Sequence, residues 1–175
     1  KGACSTHNVD AKGGPAYGSE YAPLQPGSGG GGKNGGTGGR GGGLVDMRVR
    51  GTASVNGTIS ANGGMASNNL VGDGSGGAIF IDCGTFSGTG TLSADGGKIG
   101  GTAGAHGGGG RIAVWYGVND AMRTRYLSGN FTGAITSAAH PDFTGATSVA
   151  AGTVGYAGDK AEPGTVAFLT MPYPA

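Results

Sequence analysis

The sequence predicts an all-β chain folded as a glycine-rich parallel β-solenoid with almost no helix. Three observations carry that expectation. Glycine accounts for 44 of the 175 residues. Short apolar segments follow glycine runs, and one stretch repeats further along the chain. A chain of this length suits one domain. It divides into an arm or cap, residues 1–26, and a glycine-rich domain, residues 27–175. A collagen triple helix is excluded, because no sustained G-X-Y period is present and there are only 7 prolines.

The repeat can be read directly. GTASVNGTISANGG at 51–64 matches GTFSGTGTLSADGG at 84–97 at nine of fourteen positions, an offset of 33 residues. Such a period indicates a solenoid or array. An apolar strand precedes each copy, GLVDMRVRG before the first and GAIFIDCG before the second. GRIAVWYG at 110–117 supplies a third strand, FTGAITSAA at 131–139 a weaker echo, and GTVAFLT at 164–170 a last partial unit.

Each strand has its own pattern. Val45, Met47 and Val49 alternate with Asp46, Arg48 and Arg50, which places apolar residues on one face and charges on the other. AIFID and RIAVWY are apolar on both faces, as expected of strands near the middle of a stack. The expected core is Val45, Met47, Val49, Ile79, Ile81, Ile112, Val114, Val166 and Phe168. No useful window combines helical period with caps. A β-sandwich is the alternative fold, since short strands at turn-rich spacing fit it too.

In this reading the glycines are structural. Gly107, Gly108, Gly109 and Gly110 should include positions of positive φ or contacts too tight for a Cβ, because neighbouring corners would lie about 4.8 Å apart. Stacked glycine runs could also pair as segments like polyproline II. In the arm, Pro15, Pro23, Pro26, Tyr17 and Tyr21 show little apolar pattern. It reads as a cap on its own subunit or as an arm packing on a neighbour. Cys4 and Cys83 are expected to form a disulfide tying the arm to a central strand, with two buried thiols as the alternative.

Charge and motifs narrow the chemistry. Net charge is +1 and no basic stripe occurs, which argues against nucleic acid. No apolar stretch approaches the ~20 residues of a membrane-spanning helix. Beginning at Lys1, the chain reads as a mature or trimmed product or an engineered fragment. A surface poor in charge and rich in Gly, Ser, Thr and Ala suits a secreted, self-associating protein.

No catalytic, cofactor or metal site is expected. GSGGGGKNGG at 27–36 is not a phosphate loop, because Asn34 follows Lys33 and no helix comes after it. His7, His106 and His140 lack zinc spacing with the cysteines. Asp73, Asp95 and Asp159 sit in glycine turns, where Asp bonds local backbone. The sequons at Asn56 and Asn130 are possible glycosylation sites, and exposed Ser and Thr could carry O-glycans.

GSGGAIFI, GTGTLSADGG, GGGGRIAVWY, NFTGAITS and EPGTVAFL together resemble the glycine-rich repeat regions of very large secreted and surface proteins of bacteria. The resemblance covers roughly residues 40 to 170. It implies β-helix-like structural or adhesive modules without catalytic residues, outside the cell or at its surface.

The expected function is an extracellular structural protein that assembles with itself into a fibre, filament or adhesive layer. The partner would be a second copy bound head to tail. The apolar last segment, TVAFLTMPYPA, would offer an edge, and the arm or the first unit near Leu44 would complement it. The competing reading is a carbohydrate-binding or polysaccharide-active protein, with Trp115, Tyr116, Tyr126 and Tyr156 as a stacking face. Ice binding through Thr58 and Thr91 is a minor alternative.

Overall fold

The computed structural model describes residues 14–32, 35–68, 71–98, 105–137, 142–152 and 161–171. Within them lie strands β1 (Leu44–Ser54), β2 (Thr58–Ser60), β3 (Ala78–Ser87), β4 (Thr91–Ser93) and β5 (Arg111–Tyr116). Helix α1 (Asp120–Leu127) follows, then β6 (Ile135–Ser137), β7 (Ala146–Ser148) and β8 (Thr165–Thr170). The chain is therefore mostly β, with one short helix.

The strands form two sheets, one of five strands in the order β1-β3-β5-β8-β6 and one of three in the order β2-β4-β7. All pairings are parallel except β6 with β8, which is antiparallel. This corrects the expected β-solenoid: the sheets are flat, one mixed and one parallel. It also corrects the sandwich alternative as drawn from turn-rich short strands, since parallel pairing dominates. The reason lies after β5. The chain leaves the repeat to form α1 and returns antiparallel as β6 before β7, so the path of the first two units is not continued.

The internal repeat does set register. Thr58–Ser60 pair with Thr91–Ser93, an offset of 33. Val45 pairs with Ile79 and Val49 with Cys83, an offset of 34. The difference of one is taken up between Val49 and Thr52, where Arg50 and Gly51 face Gly84 alone.

Two apolar clusters explain which strands are apolar on both faces. The first lies between the sheets and joins Ile79, Ile81, Cys83, Phe86, Ile112, Val114 and Phe168 of the large sheet to Leu92 and Ala94 of the small one. Val45, Met47, Val49 and Val166 pack against it, only partly buried. The second covers the opposite face of the large sheet. There Phe80, Ala113, Trp115, Ala167 and Leu169 meet Met122 and Tyr126 of α1, with Tyr21 and Ala22 of the arm alongside. β3 and β5 are central and covered on both sides, which is why AIFID and RIAVWY do not alternate with polar residues.

Helix α1 was not expected from the sequence, yet its signals are local. Asn119 caps it by accepting from the Met122 N–H at 2.9 Å. At the other end Asn130 N–H donates to Arg125 and Gly129 N–H to Tyr126, a Schellman closure with Gly129 at φ +84°. Only Met122 and Tyr126, one turn apart, are buried. Eight residues with two inward side chains give too short a stripe for periodicity to reveal.

The glycine runs form a third structural element, beside the starts of the long strands. Along 72–77 the N–H groups address three neighbours in rotation. Gly72 and Ser75 donate to Gly31 and Ser28, Asp73 and Gly76 to Ala105 and Gly108, and Gly74 and Gly77 to Gly64 and Ala61. A period of three is that of the polyproline II helix. Neighbours approach so closely that a Cβ on Gly74, Gly76 or Gly77 would collide with a carbonyl of another run. The same holds at Gly107, Gly109 and Gly110, which meet carbonyls of Gly74, Val149 and Gly77. No glycine of 72–77 or 107–110 has positive φ. These runs need glycine for proximity, and flexible-linker behaviour is suppressed because every N–H along 72–77 is bonded.

Candidate functional site

The titratable side chains of the described residues are spread over the fold. No three His, Cys, Asp or Glu side chains among them converge on a common point. No described helix is long and apolar enough to cross a membrane.

The expected disulfide is corrected. Cys83 is a free, fully buried thiol in the core between the sheets, its Sγ 3.6 Å from the Trp115 carbonyl oxygen. Alternation along β3 turns Cys83 inward beside Ile79 and Ile81. Burial, with a smaller contribution from Asp82, pushes its pKa up to about 11. Cys4 lies outside the described residues, as do His7, His140, Tyr156 and Asp159.

Among the described residues, the aromatic side chains considered for sugar stacking do not form an exposed face. Trp115 and Tyr126 are fully buried and pack edge to face, with centroids 5.2 Å apart. Trp115 Nε1 donates to the Tyr21 carbonyl at 2.7 Å, so this aromatic group anchors the arm. Tyr116 packs against the core between the sheets. Asn56 and Asn130 are exposed, and both side chains hold backbone: Asn56 accepts from the Thr89 N–H of the next unit and Asn130 from the nearby Thr132 N–H.

Two polar pairs brace the fold, one buried and one partly buried. Asp73 and His106 meet at 3.0 Å within the glycine runs, and Asp73 also accepts from the Ala66 N–H at 2.7 Å. Asp82 on β3 takes both carboxylate contacts from Arg123 Nε of α1, at 2.9 and 2.8 Å. That second pair fastens the helix to the sheet. The Asp120 carboxylate takes a further bond from Arg123 Nη1.

The feature that stands apart is the end of the molecule formed by β1 and β2. Each is an edge strand of its sheet. β1 is eleven residues long, and its inward residues Val45, Met47 and Val49 remain partly exposed. Their register partners on β3, Ile79, Ile81 and Cys83, are completely buried. Ile59 on β2 is partly exposed, whereas its partner Leu92 is buried.

Glycines mark the same asymmetry. Gly43, Gly77, Gly110 and Gly164 occupy one register position, immediately before β1, β3, β5 and β8. A Cβ on Gly164 would strike Gly110, one on Gly110 would strike Gly77, and one on Gly77 would strike Gly43. A Cβ on Gly43 would meet nothing. Gly57, Gly90 and Gly145 repeat the pattern: Gly145 meets Gly90, Gly90 meets Gly57, and Gly57 meets nothing.

Polar side chains climb in the same direction. Asn62 Oδ1 accepts from the Asp95 N–H at 2.7 Å, and Asp95 Oδ1 accepts from the Ala150 N–H at 2.7 Å. Asn62 itself is exposed at the open end.

The opposite end is built differently. β8 is not an edge, because β6 pairs with Phe168–Thr170. The expected free edge at the last strand is thus covered over half its length, and the three-residue strands β6 and β7 are the edges there.

No family model, curated protein or solved structure matches the chain. The resemblance to glycine-rich repeat regions of bacterial surface proteins does not hold: no family supports it, and the flat parallel and mixed sheets are not the β-helix-like modules it implied.

Proposed function

We propose that this protein is an extracellular structural subunit that associates with further copies of itself through the open end formed by β1 and β2. The observation that carries this reading is the row of unneeded glycines. Among the described residues nothing lies close to Gly43 or Gly57, whereas their register counterparts have a neighbouring backbone against them. A second copy resting on β1 and β2 would give these glycines the same role. It would also cover Val45, Met47, Val49 and Ile59, and it would pair an eleven-residue strand that has no partner on its outer side among the described residues.

Head-to-tail contact, which propagates as a filament, joins this end to β6 and β7 of the next subunit. The length mismatch between an eleven-residue and a three-residue edge favours a second geometry, β1 against β1 in a closed two-fold dimer. Both are association through the same edge.

Sedimentation and electron microscopy of the purified chain test the reading. Fibres support the head-to-tail form and discrete dimers the two-fold form. Gly43→Val with Gly57→Val should leave the fold intact by circular dichroism and shift the protein to monomer. A wild-type chain that stays monomeric at high concentration, or a double variant that assembles unchanged, overturns the proposal.

A further inference from the structure

The middle of β1 reads the same in both directions, except that its charges change sign. About Met47, Val45 mirrors Val49 and Asp46 mirrors Arg48. Asp46 and Arg48 are exposed on the outer face of the large sheet, and Arg48 Nε donates to Asp46 Oδ1 at 3.1 Å. Arg48 also stands over the Phe80 ring, its guanidinium carbon 5.8 Å from the centroid.

The backbone fixes which groups a neighbour can reach. The Gly43 carbonyl accepts from the Ala78 N–H at 3.0 Å, so it points at β3. Peptide groups alternate sides along a strand. Val45, Met47 and Val49 therefore address β3. Leu44, Asp46 and Arg48 turn their N–H and C=O groups outward, where β1 has no partner among the described residues.

An antiparallel copy meets this row only where outward groups oppose outward groups, so a two-fold axis passes through one residue of β1. An axis at Val45 sets Asp46 opposite Leu44. An axis at Asp46 or at Arg48 sets that charge against its own copy. An axis at Val49 sets Arg48 opposite Arg50. Only an axis at Met47 sets Asp46 opposite Arg48 of the second copy, twice, with no like charges opposed. Asp46 and Arg48 then exchange both backbone bonds across the interface. Met47 meets Met47 at the closer, non-hydrogen-bonded position. Opposed residues share a face, so the apolar row Val45, Met47 and Val49 continues from one copy into the next.

We infer that two copies join through β1 in an antiparallel, two-fold register centred on Met47, with Asp46 and Arg48 selecting that register. This rests on the association proposed above and chooses its closed form, in which the two large sheets become one.

Sedimentation equilibrium of the full chain tests it, with circular dichroism as the check on folding. Wild type should form discrete dimers. Asp46→Arg alone and Arg48→Asp alone should each weaken the dimer by at least about tenfold, because each sets like charges face to face at two symmetric places. An equal mixture of the two single variants should recover dimers, since each then meets the charge it lacks. The double variant, Asp46→Arg with Arg48→Asp, should pair with itself as wild type does. An independent readout uses a Cys4→Ser background: on mild oxidation Met47→Cys should cross-link two chains, and Val45→Cys, which faces Val49 of the second copy, should not. Dimers that the single variants leave unchanged, a mixture that stays monomeric, or dimers that Met47→Cys does not cross-link overturn this register and leave association through the open end standing. Fibres in place of dimers do the same. A wild-type chain that stays monomeric at high concentration overturns both.

Discussion

β1 and β3 are close relatives in sequence position and opposites in circumstance. Both follow a glycine run, and both lead through a corner into a three-residue strand in the second sheet. They lie side by side in register from Leu44 and Ala78 onward. Yet Ile79, Ile81 and Cys83 are wholly buried, while Val45, Met47 and Val49 are partly exposed. The strand's own sequence does not set this difference. β3 has β1 on one side and β5 on the other, and α1 and the arm lie over its outer face; β1 has one neighbour. The comparison teaches that a repeat can supply the same inward pattern twice while the number of neighbours decides what that pattern is worth.

The sharpest way to break the comparison is to truncate equivalent side chains. Ile81→Ala should destabilise the fold by about 2–5 kcal/mol, through lost burial and the cavity left behind. Met47→Ala, at the register partner, should cost about 1 kcal/mol or less in the monomer, because that side chain is only partly removed from water. Urea denaturation of both variants measures the gap. Equal losses would mean that β1 is as enclosed as β3 in solution.

The glycines give the next largest contrast. Gly90→Ala should cost about 1–3 kcal/mol, since its Cβ would press on the Gly57 and Val55 carbonyls. Gly57→Ala, at the same position of the preceding unit, should lie within about 0.5 kcal/mol of wild type or be mildly stabilising, because it only restricts the unfolded chain. Thermal melts of dilute monomer distinguish the two. A costly Gly57→Ala in the monomer would show that this end is already occupied within the subunit.

The smallest effect concerns Cys83, the innermost thiol on β3. Its pKa is raised to about 11 in the fold, chiefly by burial. The folded protein therefore holds this proton more tightly than the unfolded chain does. The stabilisation is fully present below the unfolded thiol's pKa and is lost as pH rises through about 11. Wild type should lose stability between about pH 9 and pH 11 more steeply than Cys83→Ala, as measured by melting temperature against pH. The folded protein should also resist alkylation at pH 8 and react once unfolded. Rapid alkylation of the folded chain would place the thiol at the surface instead.

Much of the local structure was legible in the sequence. Alternation in VDMRVR placed Val45, Met47 and Val49 on the inward face, and the offset of 33 anticipated the pairing of Thr58–Ser60 with Thr91–Ser93. The glycine run before Arg111 calls for positive φ or for contacts too tight for a Cβ; no glycine of 107–110 has positive φ, and a Cβ on Gly107, Gly109 or Gly110 would meet neighbouring backbone. Other features were hidden. α1 carries a cap and a Schellman glycine but only two inward residues, too few for a period. In the sequence Trp115 and Tyr116 suit a sugar face and a packed core equally, because an exposed platform and a packed core use the same side chains.

By itself the sequence determined which residues could form strands, which side of each strand was apolar, and where backbones could touch without a Cβ between them. Those properties follow from local period and from the absence of side chains, and both are written in consecutive residues. Tertiary structure alone decided that the strands would divide into two flat sheets. It also decided that β6 would turn back against β8, that Cys83 would lie among apolar side chains as a free thiol, and that β1 would be left at an edge. These outcomes depend on which distant segments come to lie side by side. That is settled by the total burial and hydrogen bonding of the whole chain, which no short stretch encodes.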